Sequence, residues 1–434
     1  EMFLDPTKFL SDPLASQITP TLQKVWRNLD KERKDLLYLI SRFELTHQQA
    51  IMLYIQEERE RKYKIKCTDK QILNNPYLIV EITSKTDQPI SVWTIDLGFF
   101  SSKEIKKDLF PVNNNITDKF DSRRIRGFAT YLLESATTNQ GHTLLSRNDL
   151  IKQIRDLPLT VDCSISVDIV NVIEKEISSV IKKVNLEDGS PAYQLVRLNT
   201  IKDIIKEVTI KRLNGKRHNI EADWEKLFNQ KLGNFDLNDQ DELNARKEKI
   251  AAIKEIANAR LSVLLGSAGT GKTTLMSVLC EIDEIRNGGI LLLAPTGKAR
   301  VRMSQATEHL KIKAFTIAQF LGRYNRYDYR SQTYYLSDMP GCSSFETVII
   351  DESSMLTEEM LASLFECIKT AKRIILVGDP QQLPPIGSGR PYVDIVNYLS
   401  PDNIENIFPK VGKSYAELVF ARRQRTNSDD EDNI

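Results

Sequence analysis

The residues with the plainest chemistry in this sequence are the lysine and threonine that close Gly266-Ser267-Ala268-Gly269-Thr270-Gly271-Lys272-Thr273, and a later pair of carboxylates, Asp351 and Glu352. The octapeptide has the spacing G-x-x-x-x-G-K-[ST]. It lies between an apolar run at 261–265 and a helical pattern that begins at Thr274 and continues to 279. Glycines let such a loop curl until successive backbone N–H groups face a polyphosphate, and the free N–H groups and positive dipole end of the following helix add to the attraction. Lys272 would then reach the terminal phosphates of ATP, and the Thr273 hydroxyl would ligate Mg2+. Asp351 and Glu352 follow the apolar run 348–350, where the first carboxylate can hold Mg2+, directly or through water, and the second can polarise an attacking water. A third apolar run, 374–377, enters Gly378-Asp379-Pro380-Gln381-Gln382-Leu383-Pro384-Pro385, a proline-braced polar turn in which Gln382 can donate to a phosphate oxygen. Acidic pairs at strand ends are common, but joined to the phosphate-loop pattern this one predicts a site for nucleotide hydrolysis.

Those residues need a scaffold that brings them together. Short apolar runs at 261–265, 290–293, 348–350 and 374–377 alternate with helical segments, which predicts a mostly parallel sheet covered on both faces, the α/β architecture of a P-loop NTPase. The chain has 434 residues, enough for two or three domains. It is 41% hydrophobic and 27% charged, the balance of a globular protein, and its formal net charge of +1 points to no whole-molecule attraction for a polyanion. Five dispersed cysteines and four histidines show neither zinc-ligand spacing nor a disulfide framework. No apolar run is long enough to span a membrane or to serve as a signal peptide, so a cytoplasmic location is expected.

Ahead of the phosphate loop, residues 1–20 read as an arm, and residues 21–235 as a mainly helical region. Thr46 is a candidate helix cap, and a helix is expected over about 123–134. Ser146 with Asp149 predicts a capped helix start, a second helix fits 167–182, and Asp188-Gly189 offers a turn before the alternation Tyr193, Leu195. Two helices followed by a hairpin make a winged-helix-like module. Residues 197–218 hold seven Lys or Arg side chains against Asp203 and Glu207, which reads either as a solvated helix face or as a phosphate-contacting segment. The polar stretch 221–242 contains the expected boundary.

In this order, the motifs resemble those of RecD-like ATP-dependent DNA helicases of superfamily 1, in the branch that moves 5′ to 3′ on single-stranded DNA. The resemblance rests on the phosphate loop, on Leu293-Ala294-Pro295-Thr296-Gly297-Lys298-Ala299-Arg300, on Asp351-Glu352-Ser353-Ser354-Met355, on 378–385 and on Arg422-Arg423-Gln424. It implies a RecA-like motor domain over 236–425, with a hairpin insertion at 322–346 that helps split a duplex and a short acidic tail at 426–434. It also implies that Gln382 senses the γ-phosphate, that Arg423 touches it, and that Pro295, Thr296 and Thr316 contact DNA. The tyrosines and arginines between Arg323 and Tyr335 would stack on bases and hold phosphates. Looser likeness over 45–210, carried by Asn74-Asn75-Pro76-Tyr77-Leu78 and Arg123-Arg124-Ile125-Arg126-Gly127, resembles the long-form members.

Three features depart from that pattern. Arg246, Lys247 and Lys249 stand where the family has an adenine-reading glutamine, Ala318 stands where many relatives have histidine, and no second RecA-like domain follows Gln424. Implied partners are single-stranded DNA or a 5′-tailed duplex, together with partner proteins or a second motor domain. The alternatives are a nucleotide-switched DNA-binding or scaffold module and a translocase that does not separate strands.

Overall fold

Residues 5–101, 116–233 and 239–420 are described by the computed structural model, and they divide into two units: Glu1–Ala136 with Leu144–Val196, and Thr137–Thr143 with Arg197–Ile434. Among the described residues no helix is long and apolar enough to cross a membrane.

The first unit is mainly helical, and most of its helices start where a side chain can accept from an otherwise unpaired N–H. Thr46 and Thr68 do this in full capping boxes with Gln49 and Gln71, and Asp121, Ser146 and Ser166 cap three later helices. Leu36, Met52, Ile72, Tyr77 and Phe128 are fully buried. Arg124 is buried with them and donates to both oxygens of Asp96 (2.7 and 2.9 Å), which also accepts from the Tyr77 hydroxyl. A charge this deep persists because every partner is present, and removing one partner would leave the other uncompensated. Gly127 lies against Tyr77, where a Cβ would come within 2.7 Å of the ring.

After helix Ser122–Ser135 come strand β1 (Leu145–Ser146), helices Arg147–Arg155 and Val167–Ile177, and a hairpin of β2 (Ile181–Asn185) and β3 (Pro191–Leu195). The strands form an antiparallel sheet in the order β1-β3-β2. The second helix ends at Ile177, earlier than its apolar spacing predicts, because Ile181 and Lys182 pair with Leu195 and Gln194. Gly189, at φ +80, makes the turn.

The second unit is built on a seven-stranded sheet. Its strands are β4 (Leu261–Gly266), β5 (Ile290–Ala294), β6 (Ala314–Thr316), β9 (Thr347–Ile350), β10 (Arg373–Gly378), β11 (Val411–Gly412) and β12 (Tyr415–Leu418), in the order β11-β12-β4-β10-β9-β5-β6. All neighbours are parallel except β11 and β12. A separate two-stranded hairpin, β7 (Tyr327–Asp328) and β8 (Thr333–Tyr334), stands between β6 and β9 in the chain. Alternation sorts the apolar runs onto two faces. Leu261, Val263, Leu293, Val348, Ile350 and Leu376 pack under helices Ile317–Arg323, Glu358–Cys367 and Pro391–Leu399, whereas Leu264, Leu292, Ile349 and Val377 pack under Gln240–Asn258, Lys272–Glu281 and Gly297–Ala306. This two-sided burial explains why the strands read as unbroken apolar runs.

Several cations of the 197–218 segment hold the second unit together. Helix Val196–Leu213 inserts Ile205 into the first of these cores. Arg212 is buried and donates to the carbonyls of Ala371 (2.8 Å) and Lys369 (3.3 Å), and burial brings its pKa down to about 10. Arg217 forks onto Glu255 (2.9 and 2.8 Å), and Arg197 pairs with Glu359 (2.5 Å). The polar stretch near 221–242 contains helix Trp224–Leu232, whose Trp224 and Phe228 pack on the second core.

Glu358, at the start of helix Glu358–Cys367, is 8% exposed, and its Oε2 has no hydrogen-bond partner among the described residues. Burial, followed by the repulsion of Asp394, pushes its pKa from 4.5 up to about 7. The folded carboxyl therefore keeps its proton to higher pH than the unfolded one, and the stability this group contributes is full below its unfolded pKa and lost as pH rises through about 7. Glu358→Gln should raise the melting temperature at about pH 8, by up to roughly 3 kcal/mol of stability or several degrees, and change it little at about pH 5. Equal shifts at both pH values in a calorimetric scan would reject this assignment.

Candidate nucleotide site

β4, β10 and β9 are neighbours and parallel, with Leu265 opposite Gly378 and Leu376 opposite Ile350, so the loops that leave them open at one edge of the sheet. The glycine-rich loop leaves β4 there. Gly266 has no room for a side chain: a Cβ would stand 2.5 Å from the Thr270 hydroxyl and 2.9 Å from the Leu418 carbonyl. Gly271, at φ +89, is the left-handed residue from which helix Lys272–Glu281 starts, and a Cβ there would meet the Lys249 side chain at 2.9 Å. Ser267, Ala268 and Gly269 are exposed, whereas Thr270 is buried and donates to the Ser267 carbonyl at 2.9 Å. This geometry turns the loop around the start of a helix whose first-turn N–H groups and dipole attract anions.

Lys272, Thr273 and Thr274 form the first turn of that helix. The Lys272 ammonium donates to the carbonyls of Gly266 and, at 3.0 Å, Ser267, so it is held over the mouth of the loop. Burial lowers its pKa, and Asp351, Asp379 and Glu352 oppose that shift. Thr273 and Asp351 both border a pocket of about 10 Å³ that is otherwise walled mainly by apolar side chains such as Met276, Leu292 and Met303, and they bring to it a hydroxyl and a carboxylate, oxygen donors of the kind that Mg2+ takes.

Asp351 is 6% exposed, and Glu352 adopts a left-handed conformation (φ 52°) with its N–H bonded to Asp351 Oδ1 at 3.0 Å. That turn directs both carboxylates to one guanidinium: Arg302 donates to Asp351 Oδ2 at 2.9 Å and to Glu352 Oε1 at 2.8 Å. Partial burial works against the charge on Arg302, but the two carboxylates outweigh it and its pKa rises. Arg302 was not among the residues the sequence singled out. It lies on helix Gly297–Ala306 beside Arg300, and no feature of spacing separates the two. Gln382 is exposed and shares a cleft of about 650 Å³ with Glu352, Arg302 and Thr296. Asp379 shapes this turn by accepting from the N–H of Gln381 and Gln382.

Pro295 and Thr296 follow β5, and Thr316 ends β6 opposite Ala294, so all three lie along the same edge. Both threonines also cap helices: Thr296 accepts from Ala299 N–H, and Thr316 forms a capping box with Gln319. Arg423 lies outside the described residues. Arg246 is buried and bonded to Glu242, Asn229 and the Gly233 carbonyl, and Lys249 is buried beneath Gly271, so neither presents its head group in the way an adenine-reading glutamine would.

The hairpin region divides into packed and outward parts. Arg326 is 1% exposed and binds Glu366 and the carbonyls of Tyr324, Ser337 and Met339, which makes it the internal anchor of the hairpin. Tyr324, Tyr327 and Tyr334 pack on the core below. Arg323, Tyr329 and Arg330 face outward.

A phosphate-type loop on β4, an inner strand of a mainly parallel sheet, with paired carboxylates two strands away, defines a P-loop nucleotide-binding domain, preceded here by a helical region. Comparison with known proteins agrees: the family described as "AAA domain" matches residues 244–408. The chain is 25% identical over 388 residues to the uncharacterized protein MJ1519 of Methanocaldococcus jannaschii, covering 81% of this chain and 31% of that protein. It is 29% identical over 168 residues to the ATP-dependent RecD2 DNA helicase of Deinococcus radiodurans, covering 39% and 22%. It is also 29% identical over 207 residues to the RecBCD enzyme subunit RecD of Mycolicibacterium smegmatis, covering 43% and 36%. The likeness to RecD-type proteins is thus at the level of the superfamily, and this chain spans 22% to 36% of the length of these relatives.

Because Lys272 serves the mouth of the loop and no apolar core, Lys272→Ala should leave thermal stability nearly unchanged. Its affinity for ATP should fall by roughly 2 kcal/mol or more, about thirtyfold, in a calorimetric titration. Equal affinity in the two proteins excludes the phosphate-loop assignment.

Proposed function

We propose that this chain is the nucleotide-binding portion of a long-form RecD-like DNA helicase, an ATP-driven motor that moves 5′ to 3′ on single-stranded DNA. The observation that carries this reading is the convergence of Lys272, Thr273, Asp351, Glu352 and Gln382 on one sheet edge, with Pro295, Thr296 and Thr316 along the same edge. In this reading, residues 236–425 form the motor domain and residues 21–235 an accessory region. The β1-β3-β2 sheet with its helices supports a winged-helix-like module there. A cytoplasmic location, with single-stranded DNA or a 5′-tailed duplex as partner, belongs to the same proposal.

The loop 266–273 cradles the phosphates of ATP through its backbone N–H groups, and Lys272 exchanges its carbonyl partners for phosphate oxygens. Thr273 and Asp351 would hold Mg2+, which would supply neutralisation of phosphate charge. Arg302 must release Asp351 for that to happen. Glu352 polarises the attacking water, and Gln382, from the adjoining turn, meets the γ-phosphate side of the cleft. Arg423 as a further γ-phosphate contact rests on the family resemblance alone. Charge that develops in the transition state needs donors from both sides of the nucleotide, and a second RecA-like half is the natural source of those on the far side.

Two outcomes follow. In a DNA-stimulated phosphate-release assay, Glu352→Gln should bind ATP as the unaltered protein does and lose at least about a hundredfold in turnover; unchanged turnover removes Glu352 from that role. The 434-residue chain by itself should bind ATP without displacing a strand from a 5′-tailed duplex. ATP-dependent displacement by the monomeric chain would overturn the requirement for a second half.

A further inference from the structure

The free edge of the seven-stranded sheet carries a second polar cleft of about 410 Å³ beside β6. Three cations line it from three directions: Arg300 from helix Gly297–Ala306, Lys313 from the residue before β6, and Arg323 from the end of helix Ile317–Arg323. Among the described residues none of the three is paired with a carboxylate, and Arg300 Nε is buried without a hydrogen-bond partner. The chain as a whole is nearly neutral, at +1, so general surface positivity does not account for this grouping.

Two aromatic rings complete the cleft. The Arg323 guanidinium lies 4.5 Å from the centre of the Phe315 ring. Tyr329, at the hairpin turn, is 62% exposed, yet it is braced by its hydroxyl bond to the Ala318 carbonyl (3.3 Å) and by edge contact with Tyr327 at 5.0 Å. Gly322 makes room for it, since a Cβ there would come within 2.5 Å of the Tyr329 hydroxyl. A fixed, exposed ring beside unpaired cations suits a single strand, whose unstacked bases offer a face to the ring while its phosphates meet the cations.

The cleft reaches from Gln319, the capping partner of Thr316, back past the start of β6. Thr316 is at the end of β6 and Lys313 is ahead of its start, about 10 Å back along the strand at ~3.3 Å per residue. A strand that reached Lys313 would therefore extend along the side of the sheet, beyond the line of the two threonines.

We infer that this cleft holds the phosphate backbone of a second single strand, the one excluded when a duplex opens, with a base set against Tyr329. The inference rests on the motor reading above.

Binding of fluorescently labelled DNA, followed by anisotropy, tests it with the full chain. The unaltered protein should bind a fork with two single-stranded arms about fivefold or more tightly than a duplex with the 5′ arm alone, and with a steeper dependence on salt. Arg300→Ala/Lys313→Ala should abolish that gain and leave affinity for the 5′-tailed duplex nearly unchanged. Lys254→Ala/Lys369→Ala, which removes the same charge from exposed positions elsewhere, should retain the gain. Absence of the gain in the unaltered protein, or its survival in the cleft variant, overturns the cleft while tight binding of the 5′-tailed duplex keeps the motor reading. An equal loss on both substrates also overturns the second-strand assignment, because the cleft would then hold the tracked strand. Failure of the unaltered chain to bind either substrate at low salt overturns both.

Discussion

Neighbouring parallel strands must end at the same edge of their sheet, and every polar group of the nucleotide site depends on that constraint. β4, β10 and β9 are apolar on both faces, so their interiors have no place for Lys272, Asp351 or Gln382. The polar residues are confined to the loops, and the ladder that pairs Leu265 with Gly378 and Leu376 with Ile350 brings those loops together at one edge. Helix Lys272–Glu281 then points its start at the same edge. The two cores stabilise the sheet, and the sheet in turn fixes the chemistry.

Arginine has two separate roles in this molecule. Arg124, Arg212, Arg326 and Arg373 are buried, and their partners are carboxylates, backbone carbonyls and, for Arg373, a hydroxyl as well. Arg373, for example, ties β10 to the Ala257 carbonyl and the Thr347 hydroxyl, and burial brings its pKa down to about 10. A guanidinium suits this work because its planar fork can satisfy several acceptors at once. Other cations face outward. Arg302 does so in part, with half its side chain exposed and its head group between Asp351 and Glu352. Such an arrangement balances two adjacent carboxylates that would otherwise repel each other.

The hairpin shows how one composition serves both roles within a few residues. Tyr327 and Tyr334 face each other across β7 and β8 at 4.6 Å and rest on the core, and Arg326 closes the base of the hairpin against Glu366. Their neighbours Tyr329 and Arg330 are exposed. Tyr329 and Arg330 lie past the end of β7, in the turn, which frees them from the packed face that holds Tyr327 and Tyr334.

The local sequence determined the phosphate loop, the strands around it and the acidic pair, because these depend on spacing and on runs of one residue type. Gly266, Gly271, Lys272 and Asp351 could be read in place, and Thr46, Ser146 and Thr316 act as the caps or helix starts that their side chains allow. Tertiary structure alone decided which charges face inward. The cations of 197–218 look alike in the sequence, yet Arg212 and Arg217 are held by protein groups, because burial depends on which helix packs over the segment. The same holds for Arg302, whose partners are 49 and 50 residues away in the chain, and for Arg300, Lys313 and Arg323, which share a cleft only because β6 forms the sheet edge. Periodicity reports how a segment packs locally, whereas the meeting of distant side chains is set by strand order, which local spacing does not encode.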